Sequence, residues 1–102
     1  MTKLIIGLES HCLTAEDRRR LSSEQVAGVI LFTRNYQNPT QLQCLVAEIR
    51  QLRADVLITV DHEGGRVQRF RKGFSALPAA ACFTALFRKD PALAVELSFL
   101  TG

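Results

Sequence analysis

The sequence predicts an α/β fold built on a parallel sheet, and three observations carry that expectation. Three short apolar runs, Leu4–Leu8, Gly28–Phe32 and Val56–Val60, are rich in leucine and β-branched residues and do not alternate with polar positions. Strands buried on both faces have this pattern. Helical periodicity fills the stretches between the runs, and the units recur roughly every 25 residues, the spacing that parallel strands need for a helical crossover.

Each element has its own signal. The first helix is predicted to start at Thr14, whose hydroxyl can cap it, with Asp17 completing a variant of the capping box and the end near Ser23. In the second, Asn38 caps, Pro39 takes the first helical position, and Leu42, Leu45, Val46, Ile49 and Leu52 form one apolar stripe. The third opens the same way at Asp90 and Pro91, with Leu93, Ala94, Leu97 and Leu100 at helical spacing. The order is β-α-β-α-β-loop-α. Residues 61–89 read as one long connection, and connections of that length are usually functional or disordered.

Composition narrows the function classes. With 102 residues, 47% of them apolar and 23% charged, the chain is at most one small globular domain. A net charge of +3 is mild, and neither basic cluster, Arg18–Arg20 nor the RVQRFRK segment, carries a set of stacking aromatics; no nucleic-acid partner is expected. Cys12, Cys44 and Cys82 lack ligand or disulfide spacing, so buried, reduced thiols in a cytoplasmic protein are expected, with no metal. His11 and His62 have no spaced metal-ligand partners. The apolar N-terminal run is too short for a signal segment, no run approaches the ~18 residues of a membrane span, and no membrane association is expected. Three parallel strands leave two open edges, so the sequence reads as a piece of a larger α/β domain.

Chemistry is expected where the strands end. Glu9, Ser10 and His11 follow the first run, Thr33–Tyr36 the second, and Asp61, His62 and Glu63 the third. Ligands in α/β sheets and barrels bind outside these carboxyl ends. By contrast, Glu24–Gln25 and Arg53–Asp55 look like solvated turns. Asp61 and Glu63 would lie about 6.6 Å apart along a strand, near the roughly 5–5.5 Å of a retaining glycosidase pair. Yet neighbours on one strand approach a ligand from the same side, which makes them a poor catalytic dyad. Sugar recognition suits the segment better. A carboxylate accepts from two vicinal hydroxyls, an arginine fork donates to oxygens, and Gly64 and Gly65 let the backbone approach a ligand. Glu63 has two readings, a ligand contact or a staple to Arg66 or Arg69.

The blocks Gly28–Tyr36, Val60–Phe70 and Leu77–Ala80 together resemble the family 3 glycoside hydrolases, in particular the cytoplasmic bacterial β-N-acetylglucosaminidases of peptidoglycan recycling. The resemblance spans essentially all 102 residues. It implies that residues 1–102 are the N-terminal portion of a (β/α)8 TIM barrel, its first three β-α units, in a domain of about 250 residues. It implies hydrolysis of terminal N-acetylglucosamine from muropeptides with retention of configuration, no cofactor, and a monomer when full-length. In the family the aspartate of D-x-E-G-G and the arginine ending R-V-Q-R bind the sugar, which carries over to Asp61 and Arg69. The nucleophile and acid/base come from later segments, so no catalytic residue is expected in this chain and the 102 residues alone are expected to be inactive. The alternative expectation is a truncated, non-catalytic binding or assembly module. The chain departs from the family pattern at Gly7, where an aspartate is usual, at Ser10, where a glycine is usual, and at His62, where glutamine is common.

Overall fold

The computed structural model describes residues 2–101. Strand β1 (Leu4–Gly7) leads through helix α1 (Ala15–Leu21) to β2 (Val26–Leu31), and a 3-10 turn (Thr33–Asn35) leads to α2 (Pro39–Leu52) and β3 (Leu57–Val60). A short hairpin follows, β4 (His62–Gly64) and β5 (Val67–Gln68), and then α3 (Ala81–Lys89) and α4 (Pro91–Thr101). The sheet is parallel, in the order β1-β2-β3. This is the α/β arrangement expected of three β-α units.

The helix starts follow their caps. Thr14 Oγ1 accepts from the Asp17 N–H at 3.0 Å, and the Asp17 carboxylate accepts from the Thr14 N–H at 3.1 Å. Asn38 Oδ1 accepts from the Gln41 N–H at 2.8 Å, with Pro39 at the first helical position. Asp90 caps α4 through the Leu93 N–H. Each cap satisfies a donor that the first turn would otherwise leave without a partner.

Register decides which side of the sheet is core. The row Ile6–Val29–Ile58 crosses the sheet and packs with Leu21, Leu45 and Ile49 from the helices. The adjacent row Ile5–Gly28–Leu57 faces the other way, where Ile5 is 55% and Leu57 62% exposed. The expectation of strands buried on both faces therefore holds for one face only. The apolar runs do not alternate because the uncovered face is apolar too.

The segment 61–89 is not a plain loop. It holds the β4–β5 hairpin and α3, whose N-cap is Ala80 with no side-chain cap. Helices α3 and α4 pack on each other, and the Cα radius of gyration is 17.0 Å against about 13 Å for a compact domain of this length. Cys12, Cys44 and Cys82 are all exposed, contrary to expectation, because Cys44 and Cys82 lie on the outward sides of α2 and α3 and Cys12 lies in the β1–α1 connection. No helix among the described residues is long and apolar enough to cross a membrane.

At the opposite end from the charged loops, Arg53 is a clamp and not a solvated turn residue. Its guanidinium donates to the carbonyls of Leu21, Ser23 and Val26 and to both Asp55 oxygens. It thereby ties the end of α1 and the start of β2 to the turn before β3. The hydrogen bond from Arg53 holds the Asp55 carboxyl below its ordinary range. A lowered carboxyl adds stability above its unfolded pKa and loses it as pH falls through the folded value. Arg53→Met should therefore lower the thermal midpoint at neutral pH, by a margin that narrows in acid. Thermal melts of both proteins across the carboxylate range check this, and coincident neutral-pH midpoints would contradict it.

Candidate functional site

The carboxyl ends of β1 and β2 are laced together by Asn35. This residue is fully buried. Its Oδ1 accepts from the Phe32 N–H at 2.9 Å, and its Nδ2 donates to the carbonyls of Leu8 at 3.1 Å and Ser10 at 2.9 Å. Gln41 adds a second tie, donating to the carbonyls of His11 and Asn35. Of the polar residues expected after β1, Ser10 and His11 thus engage through their backbone carbonyls. The signal that could have found Asn35 is an asparagine shortly past a buried strand, where only side-chain groups can satisfy the ends of neighbouring strands.

The third strand end is held differently. Gln68, 3% exposed, donates to the carbonyls of Phe70 and Ser75 and accepts from the Leu77 N–H. Gly64 and Gly65 have φ of +79° and +58°, and a Cβ on Gly64 would lie 2.2 Å from the Pro78 oxygen. What approaches these glycines is the chain's own 77–79 segment, so their expected role beside a ligand is corrected to backbone packing. Beneath the loop, Tyr36, Phe70, Phe74 and His62 form an aromatic cluster with ring centroids 4.8–6.2 Å apart. Tyr36 also donates its hydroxyl to the Lys72 carbonyl. His62 is accounted for by this packing, and no group of three metal-ligating side chains occurs among the described residues.

On this frame the two residues expected to bind sugar come together. Asp61 directly follows β3 and Arg69 directly follows β5, with Arg69 Nη2 3.4 Å from Asp61 Oδ2. Their side chains are 45% and 30% exposed. Arg69 Nε is buried and has no hydrogen-bond partner among the described residues. A third charge joins them: Arg34, from the turn after β2, lies with its guanidinium 4.8 Å from the centre of the Phe32 ring, which Arg69 approaches to 5.6 Å. Glu63 is exposed and makes no ion pair among the described residues, so it neither staples Arg66 nor competes with Asp61 for Arg69. A groove of about 460 Å³ between α3 and α4 is lined by none of these charged residues.

Residues 5–100 match the model of the glycosyl hydrolase family 3 N-terminal domain. The chain belongs to glycosyl hydrolase family 3. Among its relatives, the β-hexosaminidase of Alkalilimnicola ehrlichii is 51% identical over 100 residues, covering 97% of this chain and 29% of that protein. The β-hexosaminidase of Thiobacillus denitrificans is 54% identical over 100 residues, covering 97% and 28%. NagZ from Neisseria gonorrhoeae, solved in complex with N-trifluoroacetyl-D-glucosamine, superposes with a TM-score of 0.87 at 43% identity, covering 94% of this chain and 28% of that one. This family 3 chain thus spans less than a third of the length of the relatives it matches. Its three-stranded sheet and helices match the N-terminal part of their barrel domain.

The frame can be tested apart from any ligand. Asn35→Ala removes the side-chain partners of the Phe32 N–H and the Ser10 carbonyl, while the Leu8 carbonyl keeps Arg34 Nε, and should cost about 2 kcal/mol. Gly64→Ala combines a left-handed backbone with a backbone clash and should cost more than about 2 kcal/mol. Urea unfolding reads both. A loss below about 1 kcal/mol would contradict the role of Asn35 in closing the strand ends or that of Gly64 in packing on residues 77–79.

Proposed function

We propose that residues 1–102 form the N-terminal portion of a retaining β-N-acetylhexosaminidase barrel, and that Asp61 and Arg69 hold the terminal N-acetylglucosamine of a muropeptide during cytoplasmic cell-wall recycling. The observation that carries this reading is the Asp61–Arg69 pair itself. An ion pair at 3.4 Å between half-exposed groups is worth at most about 1 kcal/mol, so it does little to hold the loop. Its chemistry remains open to a ligand. The carboxylate can accept from two vicinal hydroxyls, and the guanidinium can donate to a hydroxyl oxygen while keeping the carboxylate aimed.

Support comes from the relatives' names and from the N-acylated glucosamine bound in the gonococcal structure. In this reading Asp61 and Arg69 bind and orient, and they do not take part in bond cleavage. Asp61 and Glu63 stand on one side of any sugar placed there. A retaining mechanism needs carboxyl groups or their equivalents on both sides of the glycosidic bond, so other barrel segments supply the nucleophile and the acid/base. The full-length protein would act as a monomer.

A chimera tests this, with the chain replacing the matching segment of the Alkalilimnicola ehrlichii β-hexosaminidase. It should hydrolyse a chromogenic N-acetyl-β-glucosaminide. Asp61→Ala should lower kcat/KM by about 100-fold or more, since two charge-assisted hydrogen bonds are lost. Arg69→Met should lower it by about 10- to 100-fold. Turnover of Asp61→Ala close to that of the unsubstituted chimera would overturn the assignment.

A further inference from the structure

Phe32 is a large apolar residue that the apolar parts of the molecule do not use. It is half-buried, yet among the described residues it belongs neither to the hydrophobic core nor to the side chains packed against that core. Nor does it join the aromatic cluster of Tyr36, His62, Phe70 and Phe74. Its ring meets cations instead, the Arg34 guanidinium at 4.8 Å and the Arg69 guanidinium at 5.6 Å from its centre.

The ring is fixed independently of Arg69. Asn35 holds the Phe32 N–H, and the Leu8 carbonyl pins Arg34 against the ring. The backbone of Gly7 closes another side, where an added Cβ would meet Phe32 Cε2 at 3.8 Å. Arg69, by contrast, is tethered weakly. Its one side-chain hydrogen bond, to Asp61, is 3.4 Å long, and its Nε is buried with no hydrogen-bond partner among the described residues. A buried N–H without a partner is costly. The electron-rich face of a phenyl ring offsets part of that cost, because a guanidinium within about 6 Å of the ring centre is attracted to it.

We infer that Phe32 is a positioning residue for the sugar contact: its ring seats the Arg69 guanidinium and so aims the remaining donors, together with Asp61, at the sugar. The inference rests on the sugar reading of Asp61 and Arg69 and extends that site to the end of β2. The ion pair alone does not set the direction of the guanidinium, since a single hydrogen bond of 3.4 Å leaves rotation about it free. Contact with a fixed ring removes that freedom before a ligand arrives, which lowers the ordering cost of binding. The phenyl ring carries no hydrogen-bonding group of its own, so it leaves the outer N–H groups to a ligand.

A double-mutant cycle in the Alkalilimnicola ehrlichii chimera tests this. Phe32→Leu should raise KM for the chromogenic N-acetyl-β-glucosaminide by about 5- to 20-fold and leave kcat within about twofold, as expected when binding common to substrate and transition state is lost. Phe32→Tyr keeps an aromatic face and should stay within about twofold of the unsubstituted chimera. In an Arg69→Met background, Phe32→Leu should have no further effect on KM, because the ring acts through that guanidinium. Phe32→Met carries the same expectations should Phe32→Leu fail to fold. The inference is overturned by an unchanged KM in Phe32→Leu where Arg69→Met raises it, by an equal rise in both backgrounds, or by a Phe32→Tyr as impaired as Phe32→Leu. If Arg69→Met itself leaves KM unchanged, the sugar reading falls instead, and the Arg69 Nε–Hε resonance of the 15N-labelled protein decides the positioning. That resonance should move on Phe32→Leu, and an unmoved one would refute the seating of Arg69 on the ring.

Discussion

The carboxyl-terminal ends of the strands depend on one buried side chain. Parallel strands finish with backbone groups that neither strand can satisfy, and burying them without partners is costly. Asn35 resolves this by serving Phe32, Leu8 and Ser10 at once. In doing so it fixes the turn that carries Phe32 and Arg34. The Phe32 ring in turn supports two guanidinium groups, one from its own turn and one from the far side of the 61–69 segment. Three separate stretches of chain therefore meet in a defined geometry because one amide closes the strand ends.

The same logic explains the charge placed directly after the buried strand β3. The loop does not need that charge for its own stability. Gln68, the close packing of Gly64 and Gly65 on residues 77–79, and the aromatic cluster with Tyr36 hold it in shape. Asp61 and Arg69 add a long, half-exposed ion pair of small energetic value. Groups that contribute little to folding yet are held by well-packed surroundings have the preorganisation that the proposed sugar contact calls for.

Much of this was legible in the sequence, and the exceptions have physical causes. The caps at Thr14, Asn38 and Asp90 act locally, through hydrogen bonds to residues three positions on, so spacing alone exposes them. The three parallel strands were marked by their apolar runs and the place of Asp61 at a strand end by the topology, whereas the partnership of Asp61 with Arg69 was implied only by the family resemblance. The β4–β5 hairpin escaped because strands of three and two residues are too short to show a period. Helix α3 escaped because Ala80 offers no capping side chain. Arg53 and Gln68 were not recognised because their partners are backbone carbonyls and amides, brought near only by tertiary folding. Gly64 and Gly65 do need their special backbone, but the close approach is to the chain itself.

The claim that the spare charge at the end of β3 receives a sugar is met most directly by a crystal structure of the barrel-completed chimera with N-acetylglucosamine bound. Both Asp61 oxygens should then lie at about 2.5–3.0 Å from sugar hydroxyls, with the Arg69 fork beside the same ring. A sugar bound elsewhere in the barrel, with Asp61 and Arg69 still facing only each other, would contradict it.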